Sequence, residues 1–262
     1  MARCGCSTTG EPGTGCSCVL SAGTNITFTG TGEAGDPWVI NTTAPFLGAE
    51  VFTASGSWDK AANPLATHLR VRAVGGGGGS ASTGASIAGQ GVARGGGSGG
   101  TYTESWLDVA ALPASVVVTV GAGGVGGTPA SPATVGGNGG TSSFGAFVTA
   151  PGGNGSPVAQ PPAVPPVISG GTSPGADGVG DLTVPGAGGT SGIIVALGSR
   201  FGGPGGSAGG LGPSGMANLF PGAGTPGRKY GGGASGSVTE GVSGGFVGSA
   251  GFAGVVIVEM FG

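Results

Sequence analysis

Charge is what this chain has least of. Only eight Lys or Arg and eleven Asp or Glu occur in 262 residues, where a soluble protein of this length carries about a quarter of its residues charged. So few scattered cations cannot make a phosphate-neutralising stripe, which excludes nucleic acid as a partner. There is one histidine, His68, set in the alternating run Thr67-His68-Leu69-Arg70-Val71, where it reads as a surface residue of a strand rather than a catalytic base. Carboxylates are thinly spread. The close pairs are Glu33 with Asp36, Glu104 with Asp108 and Asp177 with Asp181, and nothing beside them supplies the cleft that glycoside cleavage needs. No segment carries a helical period. The long uncharged stretch from Val109 to Ala176 is broken by Gly and Pro, which would leave backbone groups unsatisfied in lipid, so no membrane insertion is expected. Met1-Ala2-Arg3 leads into polar sequence without a secretory apolar segment, and synthesis in the cytoplasm is the expectation.

What the chain has instead is glycine: 68 residues, which with 19 prolines make roughly a third of the total, a composition usually read as disorder. Disorder also requires low hydrophobicity and high net charge. Here the mean hydropathy is +0.30 and the net charge only −3, so the chain should collapse or assemble, as a subunit of a larger particle. Its apolar residues fall in short runs: Ala49 to Ala54, Leu69 to Val74, Val116 to Val120, Phe144 to Val148, Ile193 to Leu197 and Val255 to Phe261. Each is rich in Val, Ile, Phe or Thr and bounded by Gly or Pro, the grammar of strands. The expected fold is all-β, a body like a short-stranded β-sandwich or β-prism.

Between the strands, Gly203, Gly206, Gly209, Gly212 and Gly215 recur every third residue, as do Gly245, Gly248, Gly251 and Gly254. Three residues per turn is the period of the polyproline II helix, which has no internal hydrogen bonds. Its N–H and C=O groups must therefore find partners in neighbouring segments. Phe201, Leu211, Phe220, Tyr230 and Phe252 punctuate these tracts, unlike a flexible linker, so packed polyglycine II helices are expected. Five triplets are too few for a collagen triple helix. Residues 156–168 (SPVAQPPAVPPVI) read as an extended proline-rich excursion.

Residues 1–45 form a distinct head and residues 46–262 the glycine-rich body. The head holds all four cysteines, Cys4, Cys6, Cys16 and Cys18, with the turn-rich Gly10-Glu11-Pro12-Gly13 between the pairs. Two disulfides across a hairpin, Cys4 to Cys18 and Cys6 to Cys16, would staple a head too small for its own core. A four-thiolate zinc site is the alternative, although one residue between paired ligands is tight; interchain bridges and free thiols remain open. Other motifs carry little. Val116–Val120 followed by Gly121-Ala122-Gly123-Gly124-Val125-Gly126 imitates a dinucleotide fingerprint, but no helix N-terminus follows to receive a pyrophosphate. The pattern G-x-S-x-G around Ser98, Ser173 and Ser243 is what chance supplies in such a composition. Asp177-Gly-Val-Gly-Asp181 reads as a solvated turn before a calcium loop. No cofactor and no enzymatic activity are expected.

The run Phe52-Thr-Ala-Ser-Gly-Ser-Trp58, then His68-Leu-Arg-Val-Arg-Ala-Val74 ending in Gly75–Gly79, resembles the opening of the glycine-rich domain of bacteriophage tail fibres. Gly99-Gly-Thr-Tyr-Thr, Gly139-Gly-Thr-Ser-Ser-Phe-Gly145 and the terminal Gly251-Phe-Ala-Gly-Val-Val-Ile-Val-Glu-Met-Phe261 follow in the same order. The head, with Cys16-Ser-Cys18 and Gly30 to Ile40, is similar to the N-termini of minor tail proteins from phages of high-GC Gram-positive hosts. The resemblance implies a virion component of the distal tail and a homotrimer. Its partners would be other tail proteins and a host cell-envelope glycan or surface protein. Tyr102, Trp106, Phe201, Phe220 and Tyr230 are the candidate receptor contacts, since aromatic faces at loop tips stack on sugars. Alternatives are a purely structural tail-tip or decoration subunit, and a bacterial surface adhesin or matrix protein.

Overall fold

The computed structural model describes residues 3–5, 17–19, 26–29, 37, 39–42, 45–130, 132–209 and 214–262. The molecule is all-β. In the head, β1 (Arg3–Gly5) pairs with β2 (Ser17–Val19) and β3 (Ile26–Thr29) with β4 (Val39–Thr42). The body contains β5 (Phe46–Phe52), β6 (Gly56–Asp59), β7 (His68–Val74), β8 (Gly91–Ala93), β9 (Tyr102–Asp108), β10 (Ser115–Thr119) and β11 (Ser142–Phe144). It continues with β12 (Val148–Ala150), β13 (Val167–Ser169), β14 (Leu182–Val184), β15 (Gly192–Ala196), β16 (Ser199–Phe201), β17 (Val238–Glu240) and β18 (Val255–Phe261). Phe144 to Val148, expected as one strand, is the turn of the β11–β12 hairpin, with Gly145 at φ +53°.

A sandwich forms one end of the body. A five-stranded antiparallel sheet, β14-β9-β7-β18-β5, faces a four-stranded one, β12-β11-β10-β6. Alternation decides which side chains meet between them. Leu69, Val71 and Ala73 of β7 and Val256, Val258 and Met260 of β18 face Trp58, Val116, Val118, Phe144 and Val148. Trp58 and Phe144 meet with ring centroids 6.1 Å apart.

The glycine tracts form the other end, and their hydrogen bonds repeat every three residues. In the tract 75–83, the N–H groups of Gly75 and Gly78 donate to the carbonyls of Thr101 and Ser98. Those of Gly76, Gly79 and Ser82 donate to Gly140, Gly137 and Thr134, and those of Gly77, Ser80 and Thr83 to Phe252, Ser249 and Phe246, all at 2.8–3.0 Å. The carbonyls of Gly76 and Gly79 accept from Gly153 and Ser156, those of Gly77 and Ser80 from Gly124 and Gly127, and that of Gly78 from Ala234. Six segments thus surround one extended tract, each touching it through one flank in three. This is the packing of polyglycine II helices.

Only the absence of side chains permits so close an approach. A Cβ on any of Gly75, Gly76, Gly77, Gly78 or Gly79 would lie 2.0–2.1 Å from a backbone oxygen of a neighbouring tract. The outer tract 121–128 shows the complementary pattern. Its glycines are packed inward, while Ala122, Val125 and Thr128, three residues apart, are exposed. The triplets Gly245, Gly248, Gly251 and Gly254 lie against the carbonyls of Thr83, Ser80, Gly77 and Val74 in turn.

The tract 75–83 continues directly from β7, and at a rise of about 3.1 Å per residue it covers about 28 Å. It leads to β8, from which 94–101 returns to β9. The body therefore has two poles. At the proximal one, Phe46 and Phe261 are paired and Gly262 N–H donates to the Pro45 carbonyl. At the distal one, β8 pairs with β17 and packs beside the sheet β13-β15-β16 around Ala93, Ile194 and Val238. Between them, Tyr102, Val74, Ala208 and Val255 join sandwich to bundle.

Candidate functional site

Sheet register sorts the distal pole into two faces. In β13-β15-β16 the row Val167–Ile194–Arg200 points inward, and the row Ile168–Ile193–Phe201 points out. Val167 and Ile194 are buried, whereas Ile168, Val195 and Leu197 are more than half exposed. Three further segments converge on this sheet. Gly202 and Asn218 exchange backbone hydrogen bonds, and Arg200 Nε donates to the Leu219 carbonyl at 3.2 Å. Glu240 is the knot: its carboxylate accepts from the Gly198 N–H and pairs with Arg200. Gly198, at φ +86° with nothing near its missing Cβ, turns the β15–β16 hairpin outward. Leu219 and Phe220 complete an apolar, solvent-facing tip, Phe220 being 71% exposed. Exposed apolar side chains gathered at one end of a fold mark a candidate interaction site.

The proximal pole carries a second surface on the outer face of the five-stranded sheet. Arg70 holds Glu104 with two bonds, Nε to Oε1 at 2.9 Å and Nη2 to Oε2 at 3.0 Å. Arg72 Nη2 bonds Glu259 Oε1 at 2.7 Å. The Arg70 bonds, helped by the Tyr102 hydroxyl, hold the Glu104 carboxyl below its usual range, and the same bonds raise the Arg70 guanidinium. Burial, reinforced by the hydrogen bond to Glu104, pushes the Tyr102 phenol up to about 12. Beside this ladder Trp106 and Phe261 lie with centroids 5.1 Å apart, and Phe46 and Phe261 5.7 Å.

The five candidate aromatics therefore divide. Phe201 and Phe220 share the distal tip, and Trp106 is exposed at the proximal pole. Tyr102 and Tyr230 pack at the joint, Tyr230 edge-on to Phe252 at 6.1 Å. Sequence reasoning passed over Ile168, Val195, Leu197 and Leu219. For Ile168 and Val195 the signal was the apolar residue on the outward half of a strand; Leu197 and Leu219 lie outside strands and carried none.

Backbone register sets Cys4 opposite Cys18 in the β1–β2 pair, the placement that a disulfide across a hairpin needs; Cys6 and Cys16 lie outside the described residues. Among the described residues no three His, Cys, Asp or Glu side chains come together as metal ligands would. Asp181 is engaged structurally, accepting from the Trp106 N–H at 2.9 Å. Ser98 is buried in the bundle, where its hydroxyl accepts from the Asn154 N–H. In the glycine run 121–126 the Gly124 N–H is bonded to the Gly77 carbonyl, so it is not free to hold a phosphate. His68 ends β7 at the surface, its Nδ1 2.9 Å from the Thr67 hydroxyl.

A family model described as a glycine-rich domain matches residues 53–259. No curated protein matches the chain.

Proposed function

The chain belongs to the glycine-rich domain family, and on that premise we propose that it is a bacteriophage tail-fibre or tail-tip protein that recognises the host cell surface. The observation that carries the reading is the separation of the poles. The N-terminal head and the C-terminus both leave from the proximal pole, at Pro45 and Gly262. The apolar tip of Ile168, Val195, Leu197, Phe201, Leu219 and Phe220 is presented at the far end. A rigid spacer lies between them. Such a layout suits a subunit anchored at one end in a tail and presenting the other. At the tip, Phe201 and Phe220 supply flat apolar faces for sugar rings or for a surface protein. At the proximal pole, the exposed sheet face with Trp106, Phe46 and Phe261 suits contact with further copies of the chain, in a homotrimer, or with neighbouring tail proteins.

The test is binding of the fluorescently labelled full-length protein to cells of high-GC Gram-positive hosts, with a Phe220→Ala, Leu219→Ser variant alongside. Selective decoration that the variant loses supports recognition through the distal tip. Absence of binding across the hosts overturns the reading and favours a purely structural tip subunit; binding unchanged in the variant overturns recognition through the distal tip and assigns it to another face.

A further inference from the structure

Arg94 begins the return tract 94–101 and, among the described residues, is the one cation buried inside the bundle. It is 0% exposed. Its backbone is committed to the lattice, with the N–H donating to the Ser237 carbonyl at 2.8 Å and the carbonyl accepting from Gly203 at 3.0 Å. Its guanidinium bonds two neutral carbonyls, Nε to Ser82 at 2.8 Å and Nη1 to Gln160, while Nη2 has no partner. No carboxylate answers the charge: the ion pairs among the described residues involve Arg70, Arg72 and Arg200. Removing a cation from water without a counter-charge is strongly unfavourable. Burial lowers the Arg94 pKa, but only to about 10, so the group stays cationic at neutral pH.

Arg94 is among the residues around a cavity of about 610 Å³ at the distal end of the bundle, its unpartnered Nη2 buried behind the wall. One wall is the proline-rich excursion, with Val158, Gln160 and Pro162; Gly84, Ala85 and Ala133 form part of the opposite side. Among the described residues the lining contains no acidic side chain. The excursion thus has a structural role that its composition did not disclose, closing a pocket over a buried cation.

We propose that this cavity binds an oxyanion group, a carboxylate or a phosphate, carried on a small molecule or chain end with an apolar or ring-shaped body. A planar guanidinium with an unspent N–H edge is suited to such a group, and the Pro, Val and Ala walls suit the rest of the ligand. The site stands independently of the cell-surface reading, since it rests on Arg94 and the cavity and not on the exposed tip.

The experiment is a thermal-shift titration of the full-length protein with glucuronate, acetate, inorganic phosphate and inorganic sulfate, each against chloride at equal ionic strength. A ligand that binds only the folded state raises Tm in proportion to the logarithm of its concentration above saturation. The expected result, with at least one oxyanion, is a rise in Tm that sets in near the ligand's Kd and then grows with the logarithm of concentration. The carboxylate and phosphate arms identify which source the site prefers. Arg94→Met, which removes the charge at similar length, should abolish the rise; Ala133→Leu, which keeps Arg94 and narrows the cavity, should move its onset to at least tenfold higher concentration. On the wild-type protein, the ¹⁵Nε resonance of Arg94 should move along a saturation curve with the same Kd, a readout that holds even where a variant fails to fold. No rise with any probe and an immobile Arg94 resonance would overturn the proposal, as would a rise unchanged in both variants.

Discussion

The two halves of the body solve the same problem by opposite means. In the sandwich, side chains carry cohesion: Trp58, Phe144, Leu69 and the valines of β10 and β18 are withdrawn from water between two sheets, worth about 25 cal/mol for each Å² of apolar surface. In the bundle the flanks between tracts are mostly bare of side chains. What remains is backbone bonded to backbone in three directions, with tracts so close that a single methyl group has no space. The sandwich is specific through shape and tolerant of chemistry of similar volume. The bundle is specific through emptiness, and its tolerance depends entirely on which of three flanks a residue occupies. Glycine, usually read as the residue of flexibility, here builds a half bonded backbone to backbone on every flank.

The contrast is broken most sharply by adding one methyl group. Gly→Ala in an open extended segment stabilises a protein by about 0.4–1 kcal/mol, by restricting the unfolded chain. Gly170 has nothing within 4 Å of its missing Cβ, and Gly170→Ala should follow that rule. The Cβ of Gly77→Ala would stand 2.1 Å from the Gly232 carbonyl oxygen, and the variant should lose about 4 kcal/mol or more, if it folds at all. Denaturant unfolding of the two proteins reads both signs. In the sandwich, Phe144→Ala removes a fully buried ring and should cost about 3–5 kcal/mol, while Val118→Ile should cost under about 2; equal damage from both would mean the core is as intolerant as the bundle.

Part of this division is legible in the sequence. The glycines at 245, 248, 251 and 254 announce a three-residue period, and each sits against a carbonyl of the central tract. The alternation in β7 and β18 assigns Arg70, Arg72 and Glu259 to the outer face. The run Gly75–Gly79 is less legible, because a helix packed on every flank shows no period, only glycine throughout. Which tract lies beside which is not written locally either: Gly76 bonds to Gly140, while Gly77 bonds to Phe252, pairings fixed by closure of the whole lattice. Arg94 carries no signal in the sequence that sets it apart; only the fold places it beside the proline-rich excursion.

A smaller effect separates the electrostatics of the two halves. The Glu104 carboxyl is held below its ordinary range by Arg70. Its contribution is therefore present above the unfolded glutamate pKa of about 4.3 and is lost as pH falls through the lower folded value. Arg70 is 36% exposed, so solvent screening limits the effect to under about 1 kcal/mol. Stability curves measured between pH 7 and 3 should show a steeper acid limb for the wild type than for Glu104→Gln. Identical limbs would remove the ladder from the account.

The central claim, that the glycine tracts are held as firmly as the sandwich, is tested most directly by amide hydrogen exchange. The N–H groups of Gly75 through Gly79 lie in no strand or helix, yet every one is bonded to a neighbouring tract. They should exchange as slowly as those of Val71 and Val256 in the sandwich, through global unfolding alone. Exchange of Gly75–Gly79 at the rate of an open loop, while β7 and β18 stay protected, would contradict it.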